Sequence, residues 1–187
     1  MSFSDFFTSV NRLKGVKRSG WVERGVEEPE SVADHSFMTA LFCMVLPAEG
    51  VDREKAIRMA LVHDLAESEV GDIITKESWK DGGAMPRAEK VALERDGLKK
   101  LLKGLDKGTA REISGLWEEY EKGKTPEAVF VRDADIAEMI LQAVSYHAKG
   151  NYRDSLGGFW EKGNTERINN ESIKIMVENI IRKADKQ

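Results

Sequence analysis

The stretch "ALVHDLAESEVGD", from Ala60 to Asp72, gathers His63, Asp64, Glu67, Glu69 and Asp72 behind an apolar lead-in. Imidazoles and carboxylates bind divalent ions and carry protons. On a helix, His63 and Glu67 stand four apart, and Asp64 and Glu67 three apart, so each pair shares a face. Neighbours on a helix diverge by about 100°. His63 and Asp64 can therefore meet one ion only from its side, and further ligands must come from other helices. Glu69 fits a solvated helix end.

The chain has three histidines. His35, near a helix start in "SVADHSF", is a better partner for His63 than His147, at the end of another helix. A second acid can come from "FVRDADIAEMI", where Asp133 and Asp135 interrupt an apolar run. Burying a carboxylate costs several kcal/mol unless it is paired or bound to metal. Helical spacing leaves both acids open. The resulting mixture of nitrogen and oxygen ligands suits one divalent ion: manganese, cobalt, nickel, iron, zinc or magnesium. Such an ion lowers the pKa of water and neutralises a phosphoryl group, and Glu67 is spaced to take the proton.

Helices must position these groups. Phe6, Phe7, Val10 and Leu13 line one face of residues 4–15, with Gly15 as a stop. Ser31 opens the His35 helix with a capping-box pattern that includes Asp34, and the helix halts near Pro47. Asp52 caps a helix expected to run to just before Gly71. A loop over 72–85, containing Trp79, leads to Pro86 in the first turn of a helix ending near Lys103. Thr109 is expected to cap the next, through about Glu121. Thr125 and Pro126 open a long helix carrying Asp133 and Asp135, and 166–183 form the last. The expectation is an all-α fold, one domain over 1–187 with about seven helices.

With 187 residues, 41% hydrophobic and 33% charged, the chain reads as an ordinary globular domain. Net charge −4 argues against a nucleic-acid polymer as partner. No apolar run reaches the ~20 residues of a membrane span, and the first residues lack a signal-peptide pattern, so no membrane partner and a cytoplasmic setting are expected. The lone Cys43, in "ALFCMVL", reads as a buried thiol; thiolate zinc sites and intrachain disulfides are excluded. Apolar stripes at Ile168–Ile181 and Leu98–Leu105 suit either the core or a homodimer.

The spaced set His35, His63-Asp64 and a later Asp resembles the metal-dependent phosphohydrolases of the HD-domain superfamily. "GWVERGVEEPESVADHS", "ALVHDLAESEVGDI", "GLWEEY" and "DADIAEMILQA" resemble its 5'-deoxynucleotidase branch, over about Leu13 to Ala148. The resemblance implies an HD-domain helical bundle, commonly dimeric, that hydrolyses deoxynucleoside 5'-monophosphates to deoxynucleoside and phosphate. It implies His35, His63, Asp64 and Asp135 as ligands of one metal ion and Glu67 as the catalytic carboxylate. It also implies Asp72 as the contact to the sugar 3'-hydroxyl and Trp21 as the aromatic beside the sugar. Bacterial members carry a phosphate-gripping Arg directly before that tryptophan, where this chain has Gly20. Arg18 is the expected replacement, with Lys17, Arg24 or Lys76 behind it. Two rival readings are another nucleotide phosphoester as substrate, and a regulatory nucleotide-binding module without turnover.

Overall fold

A computed structural model describes residues 2–75, 85–160 and 162–184. Seven helices of two turns or more carry the fold. They are α1 (Phe3–Val10), α2 (Val32–Val45), α3 (Arg53–Val62), α4 (Arg87–Leu101), α5 (Lys107–Lys122), α6 (Pro126–Lys149) and α7 (Glu171–Ala184). Single turns at Ser19–Glu23, Glu67–Val70 and Lys162–Thr165 add to the expected seven. Among the described residues there is no strand, only isolated bridges joining Lys17 to Ser31 and Thr75 to Met85. No described helix is long and apolar enough to cross a membrane. Trp79 and Lys76 lie outside the described residues.

Local chemistry sets most boundaries. Ser31 Oγ accepts from the Asp34 amide at 3.1 Å while Asp34 takes the Ser31 amide at 2.9 Å, completing the box that starts α2. Asp52 caps α3 through the Lys55 amide. Thr125 caps α6 with Pro126 behind it, and α6 ends on left-handed Gly150, φ 69°. Two expectations need correction. Asp106, not Thr109, caps α5: its carboxylate accepts the Gly108 and Thr109 amides, so the chain turns helical earlier. Pro86 stands just outside α4 as its cap residue.

The largest correction concerns α3, which stops at Val62 rather than near Gly71. The His63 ring bonds the Ala60 carbonyl at 2.6 Å, the acceptor that the next helical amide would use. Beyond it the amides of Leu65, Glu67 and Ser68 bond three residues back, to Val62, Asp64 and Leu65. This is the tighter winding in which residues three apart eclipse. Asp64 and Glu67 are therefore stacked, and the pairing of His63 with Glu67 over one α-turn does not form.

Helix α6 is the central strut. Its Phe130, Val131, Ala134, Ala137 and Ile140 are buried in a core shared with α2, α3, α5 and α7. A second core joins α1, α4 and Trp117 of α5, and a third surrounds Trp21. Ile168, Ile173 and Val177, with Leu98, Leu101 and Leu102, are buried within the chain, so these parts of the stripes are core, while Ile175 is exposed. Cys43 is buried and unpaired, as expected.

The two acids of "DADIAEMI" part company here. Asp133 accepts the amides of Asn169 and Asn170 at 3.0 and 2.7 Å and the Asn169 side chain at 3.1 Å. Asn170 in turn accepts the Ile173 amide in the first turn of α7. Asp133 thus docks the last helix. Asp133→Ala is expected to lower unfolding free energy by roughly 2–3 kcal/mol in urea titrations, with bound metal per folded chain unchanged.

Candidate functional site

His35 comes from the second turn of α2, His63 and Asp64 from the break after α3, and Asp135 from the middle of α6. His35 is 0% exposed, and its Nδ1 lies 2.5 Å from Glu138 Oε2, one turn beyond Asp135. His63 Nδ1 faces the Ala60 carbonyl, which can only accept, so that nitrogen carries the proton. The carboxylate of Glu138 assigns the same tautomer to His35. In the neutral rings both Nε2 atoms present lone pairs inward, and neither has a hydrogen-bond partner.

These lone pairs converge. His63 Nε2 lies 3.2 Å from Asp64 Oδ2, and His35 Nε2 lies 3.8 Å from that oxygen and 3.2 Å from Asp135 Oδ1. Ligand atoms of His35, His63 and Asp64 all fall within 4.8 Å of one another. Asp135 adjoins them and is steadied by the Tyr120 hydroxyl at 2.9 Å. Buried, orphaned nitrogens among carboxylates fit a divalent ion, since an isolated imidazole lone pair at this depth is otherwise left unsatisfied.

The electrostatics agree. Burial and Arg18 oppose a charge on His35, but Asp135 and Glu138 outweigh them and push its pKa up to about 10. Despite burial, His63, Arg18 and His35 hold the Asp64 carboxyl well below the usual range. The same field that retains a proton on His35 attracts a metal cation in its place.

Glu67 is 1% exposed, with Oε1 3.2 Å from Lys90 Nζ and Oε2 buried without a partner. Burial first, then the charges of Asp64 and Asp72, push its pKa well above the ordinary glutamate value. A cavity of about 730 Å³ opens on the centre, lined by Arg18, Trp21, Asp64, Asp72 and Lys90 among others. Arg18 Nη1 stands 3.4 Å from Asp64 Oδ2. Asp72 accepts the Ser19 amide at 2.6 Å, and its carbonyl accepts the Ser19 hydroxyl at 2.7 Å. Trp21 is nearly buried, packs at 4.3 Å on Phe159, and donates to Glu30. Gly20 borders the cavity and offers no cation; Lys17 is exposed and does not line it.

The sequence-read set is thus brought together, and His147 is elsewhere, bonded to Tyr152. Glu69 is not solvated: its carboxylate is largely covered and pairs with Arg12 and Lys100. Glu138, Tyr120, Lys90 and Glu94 were missed. Glu138 had a signal, an acid three residues past Asp135 in an apolar run. Lys90 and Glu94 have the spacing of an ordinary surface pair and carried no signal.

An all-helical bundle holding two imidazoles and two acids around one point defines a class of metal-centred domain. The family model described as HD domain matches residues 10–174, and the chain belongs to that family. It is 37% identical over 173 residues to the 5'-deoxynucleotidase HDDC2 of Bos taurus, covering 92% of this chain and 82% of that one. It is 39% identical over 157 residues to the 5'-deoxynucleotidase HDDC2 of Homo sapiens, covering 82% and 74%. A crystal structure of a Pyrococcus horikoshii protein superposes with TM-score 0.74 at 34% identity, covering 97% of this chain and 98% of that one.

His35→Ala and His63→Ala are expected to abolish metal retention in elemental analysis after dialysis, with helical circular dichroism preserved. Glu138→Gln should weaken metal affinity roughly 10–100-fold. Metal affinity should also rise with pH. In the metal-free chain the His35 proton contributes stability below pH 6.5, its unperturbed pKa, and that contribution is lost through about 10. The ion competes with that proton, which calorimetric titration across this range will show.

Proposed function

We propose that this chain hydrolyses deoxynucleoside 5'-monophosphates to deoxynucleoside and phosphate, working as one HD domain over residues 1–187. The observation that carries the reading is the pair of partnerless Nε2 atoms of His35 and His63 beside Asp64, at a cavity lined by His63, Asp64, Asp72 and Lys90. The 5'-deoxynucleotidases to which the chain is similar support the substrate class.

His35, His63, Asp64 and Asp135 would hold one divalent ion. When bound, it supplies positive charge to phosphoryl oxygens and acidity to water. Arg18 grips the phosphate from the side of Asp64. Glu67 takes a proton through its unpartnered Oε2 as water oxygen attacks phosphorus. The new O–P bond forms in line with the breaking bond to the 5'-oxygen, which leaves with a proton from solvent. Asp72 Oδ1 accepts the sugar 3'-hydroxyl, since Oδ2 is committed to Ser19. Trp21, fixed by Glu30 and Phe159, walls the sugar.

The buried Cys43 thiol fits a cytoplasmic setting. A homodimer fits the outer face of α2, where Phe37, Leu41, Met44 and Val45 are exposed together. Sedimentation is expected to give twice the chain mass.

Phosphate release from matched deoxy- and ribonucleoside monophosphates, across a series of divalent ions, tests the activity. The deoxy series should turn over with little base preference. Glu67→Gln should lower kcat by roughly 10²–10⁴-fold while metal content stays at the unsubstituted level.

A further inference from the structure

Lys90 and Glu94, one turn apart on α4, face the Glu67 turn across the cavity. Lys90 Nζ lies 3.2 Å from Glu67 Oε1, 3.3 Å from Glu94 Oε1 and 4.0 Å from Asp72 Oδ1. A solvated lysine pair is worth little and holds little in place. Here the acids are almost fully covered, and the ammonium is the group that joins them.

We propose that Lys90 is a positioning residue for phosphoester hydrolysis: it holds Glu67 by one carboxylate oxygen and leaves Oε2 for the attacking water. The inference rests on the deoxynucleotidase reading for its kinetic consequence, though not for the contact itself. Glu94 is the counterweight. Its Oε1 lies 3.3 Å from the same ammonium, one turn along α4, and so gives Lys90 a second anchor.

The charged surroundings of Glu67 make the need plain. Asp64 from the turn after α3 and Asp72 after the Glu67–Val70 turn both disfavour a second negative charge, as does burial. Lys90 from α4 and Arg18 from the segment before Ser19 oppose them. Arg18 already faces Asp64 and the cavity, so among the described residues Lys90 is the cation that touches Glu67. Without it the carboxylate loses the contact that fixes its orientation.

The test uses the full metal-loaded chain with Lys90→Met, Lys90→Arg, Glu67→Gln and the double variant Lys90→Met/Glu67→Gln. Lys90→Met is expected to lower kcat by roughly 10–100-fold, with KM changed by less than about threefold and metal content intact. Lys90→Arg should recover part of the loss. In the Glu67→Gln background, Lys90→Met should cost less than about threefold more, because the two act as a unit. A kcat at the unsubstituted level, a loss confined to KM, or losses that multiply in the double variant would overturn the proposal. Carboxylate carbon NMR of zinc-loaded protein, assigned by Glu67→Gln, reads the contact without turnover. Lys90→Met should move the Glu67 carboxylate resonance at fixed pH, and an unmoved resonance overturns the proposal. No phosphate release from unsubstituted protein with any divalent ion, together with a resonance that moves in Lys90→Met, would instead overturn the deoxynucleotidase reading alone.

Discussion

The site depends on where two imidazole protons go. His35 Nδ1–H donates to Glu138 and His63 Nδ1–H to the Ala60 carbonyl, so in the neutral rings both opposite nitrogens are lone pairs toward one point. Rotate either ring, or move either proton, and a buried N–H would face where a cation belongs. Each tie also orients its ring inside a packed core, which fixes position as well as charge.

The same His63 bond shapes the backbone. By occupying the Ala60 carbonyl, the ring ends α3 and starts a tighter turn in which Asp64 and Glu67 stack. From this turn Asp64 reaches the histidines and Glu67 reaches Lys90. Helix α6 completes the arrangement with two acids of opposite duty: Asp135 faces the centre and Asp133 clamps the last helix.

Much of this was legible in the residues. Ser31 with Asp34, Asp52, and Thr125 with Pro126 announce helix starts, because each supplies an acceptor for orphan amides or a pre-set backbone angle. Histidines and acids set into apolar runs announce a site, since burial without a partner is costly. The choice between Asp133 and Asp135 was not legible from spacing. It turns on the amides of Asn169 and Asn170, which only the folded chain brings near. The break at His63 was hidden because a side chain competing for a backbone carbonyl leaves no trace in hydrophobic periodicity. Lys90 and Glu94 escaped for a similar reason: their spacing is that of a common surface pair, and their burial is a tertiary fact.

The convergent ligands lie on α2, on the turn after α3 and on α6, segments far apart along the chain. An ion bridging them is a cross-link as well as a reagent. It ties three separate stretches with no covalent bond, and it is lost when the chain opens. Occupancy therefore adds to folding free energy by mass action, about 2.7 kcal/mol when the free ion stands at one hundred times its dissociation constant. Removal of such an ion would therefore cost the fold stability as well as the site its chemistry.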